Sequence, residues 1–248
     1  MGANLGITAT IGDREFSRAE VQAWEAERIS KVAKKLGVAP LRGDLEARRQ
    51  ALVERKLELG HEALEAKLAR ELRLSARSSR LLSALSRGRR RVCTIELSGP
   101  KGSAEAMPAF YRQAMETADE AALLVASADH FLLGQRADGV QQVIETPGGA
   151  PLASRIFLDE SDTGSVATVA DPAFPVQWVA VGRSSPDGPV AGGLRHQFGD
   201  GPDGFQARLT IEFPALTPSR IVHEHRWHLA CEFSNWIEAA NAARSRAA

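Results

Sequence analysis

Ten residues near the C-terminus concentrate the reactive side chains of this chain: His223-Glu224-His225-Arg226-Trp227-His228-Leu229-Ala230-Cys231-Glu232. Three imidazoles, a thiol and two carboxylates are side chains that hold transition metals or move protons. Their spacing separates them on a helix of about 3.6 residues per turn. His225 shares the apolar stripe of Val222, Leu229, Phe233, Trp236 and Ala240. His228 lies instead with Glu224, Cys231 and Glu232, and His223 points a third way. The zinc-protease pattern H-E-x-x-H also fails, because Trp227 stands where the second His is required. No metal is expected here, and His225 reads as a polar group facing a pocket.

A second imidazole, His196, falls on the strand face of Leu194 and Phe198, with Arg195 and Gln197 opposite. If that face lines a cavity, His196 is one polar group in an apolar wall, the way small-ligand pockets fix orientation. Trp178 shares a face with Phe174 and Val176 and is the aromatic candidate for the same wall. Arg155, beside Ile156 and Phe157, reads as a solvated outer residue. No G-x-x-x-x-G-K-[ST] phosphate loop, no G-x-G-x-x-G after a strand and no C-x-x-C occurs, so no cofactor is expected. Gly182-Arg-Ser184-Ser-Pro186 misses the nucleophile-elbow pattern because Pro replaces the second Gly. The basic tract Arg87-Gly-Arg-Arg-Arg91, extended by Arg70, Arg73, Arg77 and Arg80, has the charge to touch phosphates. Residues 29–109 contain no aromatic for base stacking, so a solvated arginine face is the better reading and nucleic acid is not the expected partner.

These side chains need elements to hold them. Ser17-Arg-Ala-Glu20 is a capping box that opens a helix after a short extended stretch, Gly6–Ile11, and Gly37 closes it. Asp44 can cap a second helix to about Leu72, and a third segment runs from Ser78 to Arg91. The period changes at Val92-Cys-Thr-Ile-Glu-Leu97, which alternates like a strand. A helix from Pro108 to Ala128 precedes strand-like runs at His130–Arg136, Val140–Glu145, Ala153–Leu158, Ser165–Val169, Val176–Gly182, Leu194–Phe198 and Phe205–Phe213. Asp138-Gly139, Asp187-Gly188, Asp200-Gly201 and Asp203-Gly204 are hairpin signals, because Gly accepts the positive φ of a primed turn. Connections this short cannot make parallel crossovers, so the sheet is expected to be antiparallel. Thr217-Pro218 opens a last helix to about Ala243.

The 248 residues carry 31 Lys plus Arg against 31 Asp plus Glu, a balance that hides an asymmetry. Residues 1–92 hold 20 basic against 12 acidic side chains, and residues 93–248 hold 11 against 19. Two domains are expected: a basic helical one, 1–92, and an acidic antiparallel α+β one, 93–248. The fold class is α+β, with a small N-terminal helical bundle, an antiparallel sheet and a long C-terminal helix. Two distant cysteines make no disulfide framework and fit a reducing cytoplasm. No apolar run reaches the roughly 20 residues of a membrane span, and the first residues do not read as a signal peptide.

The order strand, helix, about six or seven antiparallel strands and one long closing helix resembles the START-like helix-grip superfamily, which includes polyketide cyclases and lipid-transfer domains. The resemblance covers residues 92–244 and rests on element order. It implies a long helix lying across a curved sheet over an apolar cavity, lined by Trp178 and His196 from the sheet and His225 from the helix. The leading expectation is a protein that binds a small apolar ligand, or a cyclase-like enzyme, with a helical extension for assembly and a homodimer as its form. The other is a non-enzymatic interaction factor whose N-terminal helices grip a protein partner.

Overall fold

A two-strand hairpin, β1 (Thr8–Ile11) and β2 (Arg14–Ser17), leads into the first helix. The computed structural model of the chain describes residues 5–136 and 138–247. Helix α1 (Arg18–Leu36) begins at the expected capping box: the Glu20 amide donates to Ser17 Oγ at 3.3 Å, and Ser17 N donates to Glu20 Oε2 at 2.8 Å. It ends where Gly37 turns left-handed, with φ 68°. Helix α2 (Leu45–Ser86) is capped by Asp44, whose carboxylate accepts from Ala47 N at 2.9 Å. The expected break after Leu72 does not occur. Residues 73–77 contain neither Gly nor Pro, so nothing stops the helix there. Its discontinuity is instead at Gly60, with φ 71° and ψ 167°.

Nine strands form one antiparallel sheet in the order β2-β1-β3-β9-β8-β7-β6-β5-β4. After the hairpin come β3 (Arg90–Gly99), β4 (His130–Gln135), β5 (Gln141–Glu145), β6 (Ser154–Asp159), β7 (Val176–Arg183), β8 (Val190–Gly201) and β9 (Gly204–Pro214). Residues before Arg90 thus supply two strands to this sheet as well as both long helices. β3 pairs with β9 from Arg90↔Pro214 to Gly99↔Phe205, so the strand preceding the meander lies beside its last member. The β8–β9 turn is tight because Gly204 takes φ 119°; a Cβ there would stand 2.0 Å from the Gly99 carbonyl. The run Ser165–Val169, expected as a strand, is a 3-10 turn at Thr163–Ser165 followed by loop. Two of its amides, Ala167 N and Thr168 N, donate to the Glu212 carboxylate rather than to a neighbouring strand. The helix expected over Pro108–Ala128 is split into α3 (Ala106–Glu116) and α4 (Glu120–Leu124), because Ala118 adopts φ 52° between them.

The closing helix α5 (Ser219–Ala247) lies across the sheet, a helix-grip-like arrangement. Its Leu229, Phe233, Trp236 and Ile237 bury against Cys93, Ile95 and Leu97 of β3 and Phe198, Ala207 and Leu209 of β8 and β9. A second apolar cluster joins Ile29, Val32 and Leu36 of α1, Leu52, Leu64 and Leu68 of α2, and Phe131, Leu132 and Ile144 of β4 and β5. Buried ion pairs fasten the helices to this end of the sheet and to each other. Arg28 grips Asp129 with two bonds of 2.9 and 2.6 Å, and Arg49 grips Glu25 with bonds of 2.6 and 2.8 Å. Asn235 of α5 donates to the same Glu25 at 3.1 Å. No helix among the described residues is long and apolar enough to cross a membrane.

Trp236 is 1% exposed and packs its ring against Tyr111 and Phe233. Trp236→Ala is expected to cost about 3–5 kcal/mol by urea denaturation, the scale for emptying a buried aromatic site; a loss under about 1 kcal/mol would mean that α5 is not held by this face.

Candidate functional site

Between the sheet, α5 and the second half of α2 lies a cavity of about 570 Å³. Leucines 82, 133, 152, 158, 194 and 229, with Ile156, Ile211 and Phe213, make most of its wall apolar. Trp178, His196 and His225 all line it. Trp178 and His196 face each other across the β7–β8 ladder, with ring centroids 5.6 Å apart, and Phe233 of α5 closes on His196 at 4.6 Å. His225 stands farther along α5, edge-on to Phe213. The turn Pro147–Gly149 presses α5 at that point: a Cβ on Gly148 would come within 2.5 Å of the His225 amide.

Neither His196 nor His225 can hold a proton comfortably. Burial, reinforced by His225, pushes the His196 imidazole down to about 3. Burial and the neighbouring His228 push His225 down to about 3 as well. In neutral His196, Nδ1 accepts a hydrogen bond from the Thr210 amide at 3.2 Å. The proton therefore sits on Nε2, a donor with no hydrogen-bond partner among the described residues. Trp178 spends its own N–H on Glu160 at 3.0 Å. Arg155, read from sequence as solvated, lines the cavity and pairs with Glu65 of α2.

Four further polar groups in the wall form a cluster that sequence reasoning missed. His130 and Glu145 are cross-strand partners at the ends of β4 and β5, and His228 and Glu232 are one helical turn apart on α5. His130 Nε2 lies 3.5 Å from Glu145 and 3.3 Å from Glu232; His228 Nε2 lies 3.4 Å from Glu145 and 3.5 Å from Glu232. His130, His228 and Glu232 each offer one ligand atom, all within 4.8 Å of one another, a set able to hold a metal. All four residues are buried. Burial opposes charge on His130, yet the Glu232 and Glu145 carboxylates outweigh it and lift the imidazole to about 9. His228 is raised against the same burial penalty by Glu145 and Glu232. Burial works against the Glu145 carboxylate too, but His228 and His130 bring it well below the usual range.

A bulge puts His130 here. The pairing of β4 with β5 shifts register between His130 and Leu132, so Phe131 and Leu132 both join the cluster under α1 and α2. His130 then emerges on the cavity side with Leu133. Its backbone is fixed from outside the sheet: Lys56 of α2 donates to the carbonyls of Ala128, at 2.8 Å, and of His130. The ring orientations come from packing. His228 stacks on His225 at 5.0 Å and meets His130 edge-on at 5.3 Å, while His130 lies 5.9 Å from Trp236. Their Nδ1 atoms have no hydrogen-bond partner among the described residues.

Comparisons with protein-family models, with curated proteins and with solved structures find no match to this chain.

The His196 environment sets a pH signature. Its folded pKa of about 3 lies below the ordinary 6.5. Above pH 6.5 neither the folded nor the unfolded state binds the proton, and the group is neutral in the balance. As pH falls below 6.5 the unfolded chain takes up a proton that the folded one refuses, so stability is lost. The stability of the wild type minus that of His196→Gln should be flat above about pH 7 and fall by about 2 kcal/mol by pH 5. A difference that stays constant down to pH 5, measured by urea denaturation, would contradict a desolvated His196.

Proposed function

We propose that this chain binds a small, mostly apolar molecule carrying one hydrogen-bond acceptor, in the cavity beneath α5. The observation that supports it is the cavity itself: about 570 Å³ falls within the range of roughly 300–1,000 Å³ of small-ligand pockets, and its wall is apolar with a few convergent polar groups. His196 Nε2–H is the donor for the ligand's acceptor, and Trp178 and His225 flank it. Kinship with the START-like helix-grip superfamily is part of this proposal. It rests on the long helix across the sheet and on β3 lying beside β9. A cytoplasmic setting belongs to it too, in keeping with two buried cysteines that stay unpaired.

A second reading, a protein-interaction role through the N-terminal helices or a homodimer, has its own observation. Leu74, Leu81 and Leu85 recur at helical spacing on the second half of α2 and are 40%, 60% and 54% exposed. Exposed leucines on one stripe are a common docking surface. If they hold two copies together, Leu81→Glu will turn a dimer into a monomer by light scattering at micromolar concentration; a wild-type monomer would dismiss the dimer.

A thermal-shift screen of fatty acids, isoprenoids and aromatic polyketide-like compounds tests the leading reading. A ligand at about a hundred times its Kd stabilises the folded state by about 2.7 kcal/mol, which for a chain of this length is a rise of about 5–10 °C in Tm. His196→Ala should reduce the shift while leaving the unliganded Tm close to that of the wild type. A screen silent for every compound, together with copurification of a stoichiometric protein partner, would replace ligand binding with the interaction role.

A further inference from the structure

The four-residue cluster in the cavity wall departs from an ordinary buried ion-pair network in its distances. Charge-assisted N–H···O bonds run at about 2.7–2.9 Å. The four Nε2···O separations here are longer, 3.5, 3.3, 3.4 and 3.5 Å; both imidazoles face the same Glu145 oxygen, Oε2, while His130 faces Glu232 Oε1 and His228 faces Glu232 Oε2. His228 Nε2 is buried with no hydrogen-bond partner among the described residues, although it is aimed between two carboxylates. Each imidazole stands about equally far from both acids. A proton shared between one nitrogen and one oxygen would shorten that separation and release the others. A cation held between the imidazoles and Glu232 would shorten none. With bonds of about 2.0–2.1 Å to nitrogen and oxygen, tetrahedral neighbours stand about 3.3–3.4 Å from one another.

We propose that His130 Nε2, His228 Nε2 and a Glu232 carboxylate oxygen bind a divalent transition-metal ion of the zinc type, with Glu145 facing both imidazoles from beside the set and the fourth position open toward the cavity. The donor set is nitrogen and oxygen only, as suits zinc. Cys231, adjacent in sequence to Glu232, turns its thiol toward the Ala126 carbonyl and takes no part. A charge of two on the ion balances the two carboxylates with both imidazoles neutral, the form in which imidazole is a ligand. Two features hold the geometry: the Lys56 clamp on the backbone at His130, from outside the cluster, and the one-turn spacing of His228 and Glu232 on α5. The ion would sit in the wall of the cavity, where an oxygen of the bound molecule can reach it. The proposal does not depend on which molecule the cavity takes.

The test uses the untagged, full-length chain, stripped with EDTA and titrated with ZnCl2 by calorimetry, with metal analysis after desalting. One zinc per chain is expected. His228→Gln and Glu232→Gln should each weaken binding by more than about a hundredfold, beyond the 10–100-fold loss typical of removing an outer-shell partner. His61→Ala, which removes an exposed imidazole on α2 outside the cavity, should leave zinc affinity unchanged. Cobalt(II) bound to the wild type should show the intense visible absorption of a four-coordinate ion, a readout that stands even if a variant does not fold. A folded chain that retains no zinc would overturn the proposal. So would zinc bound equally well by both ligand variants, or cobalt showing only the weak band of a six-coordinate ion.

Discussion

Two carboxylates and two imidazoles buried between a sheet end and a helix constrain everything around them. None can be charged there alone, since an isolated buried ion costs several kcal/mol or more. Each must face its opposites at once, which fixes the rotation of α5, the depth at which it crosses the sheet, and the bulge that swings His130 inward. His130 and Glu145 bring the ends of two strands, while His228 and Glu232 bring one turn of a helix. A one-residue slip in either would strand a charge in the apolar wall.

The N-terminal helices act as the outer brace of this arrangement. Arg28 neutralises Asp129, the residue before His130, and Lys56 holds the carbonyl groups on either side of Asp129. Burial pushes the Lys56 ammonium down to about 7, so the clamp itself costs stability that the surrounding leucine cluster must offset. Glu25, held by Arg49, also receives the Asn235 side chain of α5, so α1 and α2 grip the closing helix as well as the strand. The cavity follows as the space left between α5 and the far strands. Its polar lining is divided: His196 and His225 are kept neutral by burial, whereas His130 and His228 are steered toward charge by the acids they face.

Local signals were the legible ones. The Ser17–Glu20 capping box, the Gly37 stop, the Asp44 cap and the Asp-Gly turns at Gly139 and Gly204 each encode their conformation within a few residues and stand where the sequence places them, whereas Gly188 takes no positive φ and Asp200-Gly201 ends β8 instead of turning. Most of the strands and the apolar face of α5 followed from period, and the antiparallel pairing from the short connections between strands. What could not be read depends on contacts far apart in sequence. The split at Ala118 and the loop at Ser165–Val169 break locally plausible elements; in the second, Glu212 captures two amides. The shared face of His228 and Glu232 was visible on a helical wheel, but their partners were not. Extending the Gln135↔Gln141 register straight back would set Phe131 opposite Glu145. Only the bulge moves His130 into that place, and no residue type in Ala128–Leu132 announces it.

The proposed ion is held by three side chains from one strand and one helix, with Glu145 of a second strand beside them. X-ray absorption at the zinc edge of the loaded protein tests it most directly. The predicted spectrum is a four-coordinate shell of nitrogen and oxygen at about 2.0–2.1 Å, with the outer scattering of two imidazole rings. A shell containing sulfur at about 2.3 Å, or six oxygens without imidazole scattering, would contradict it.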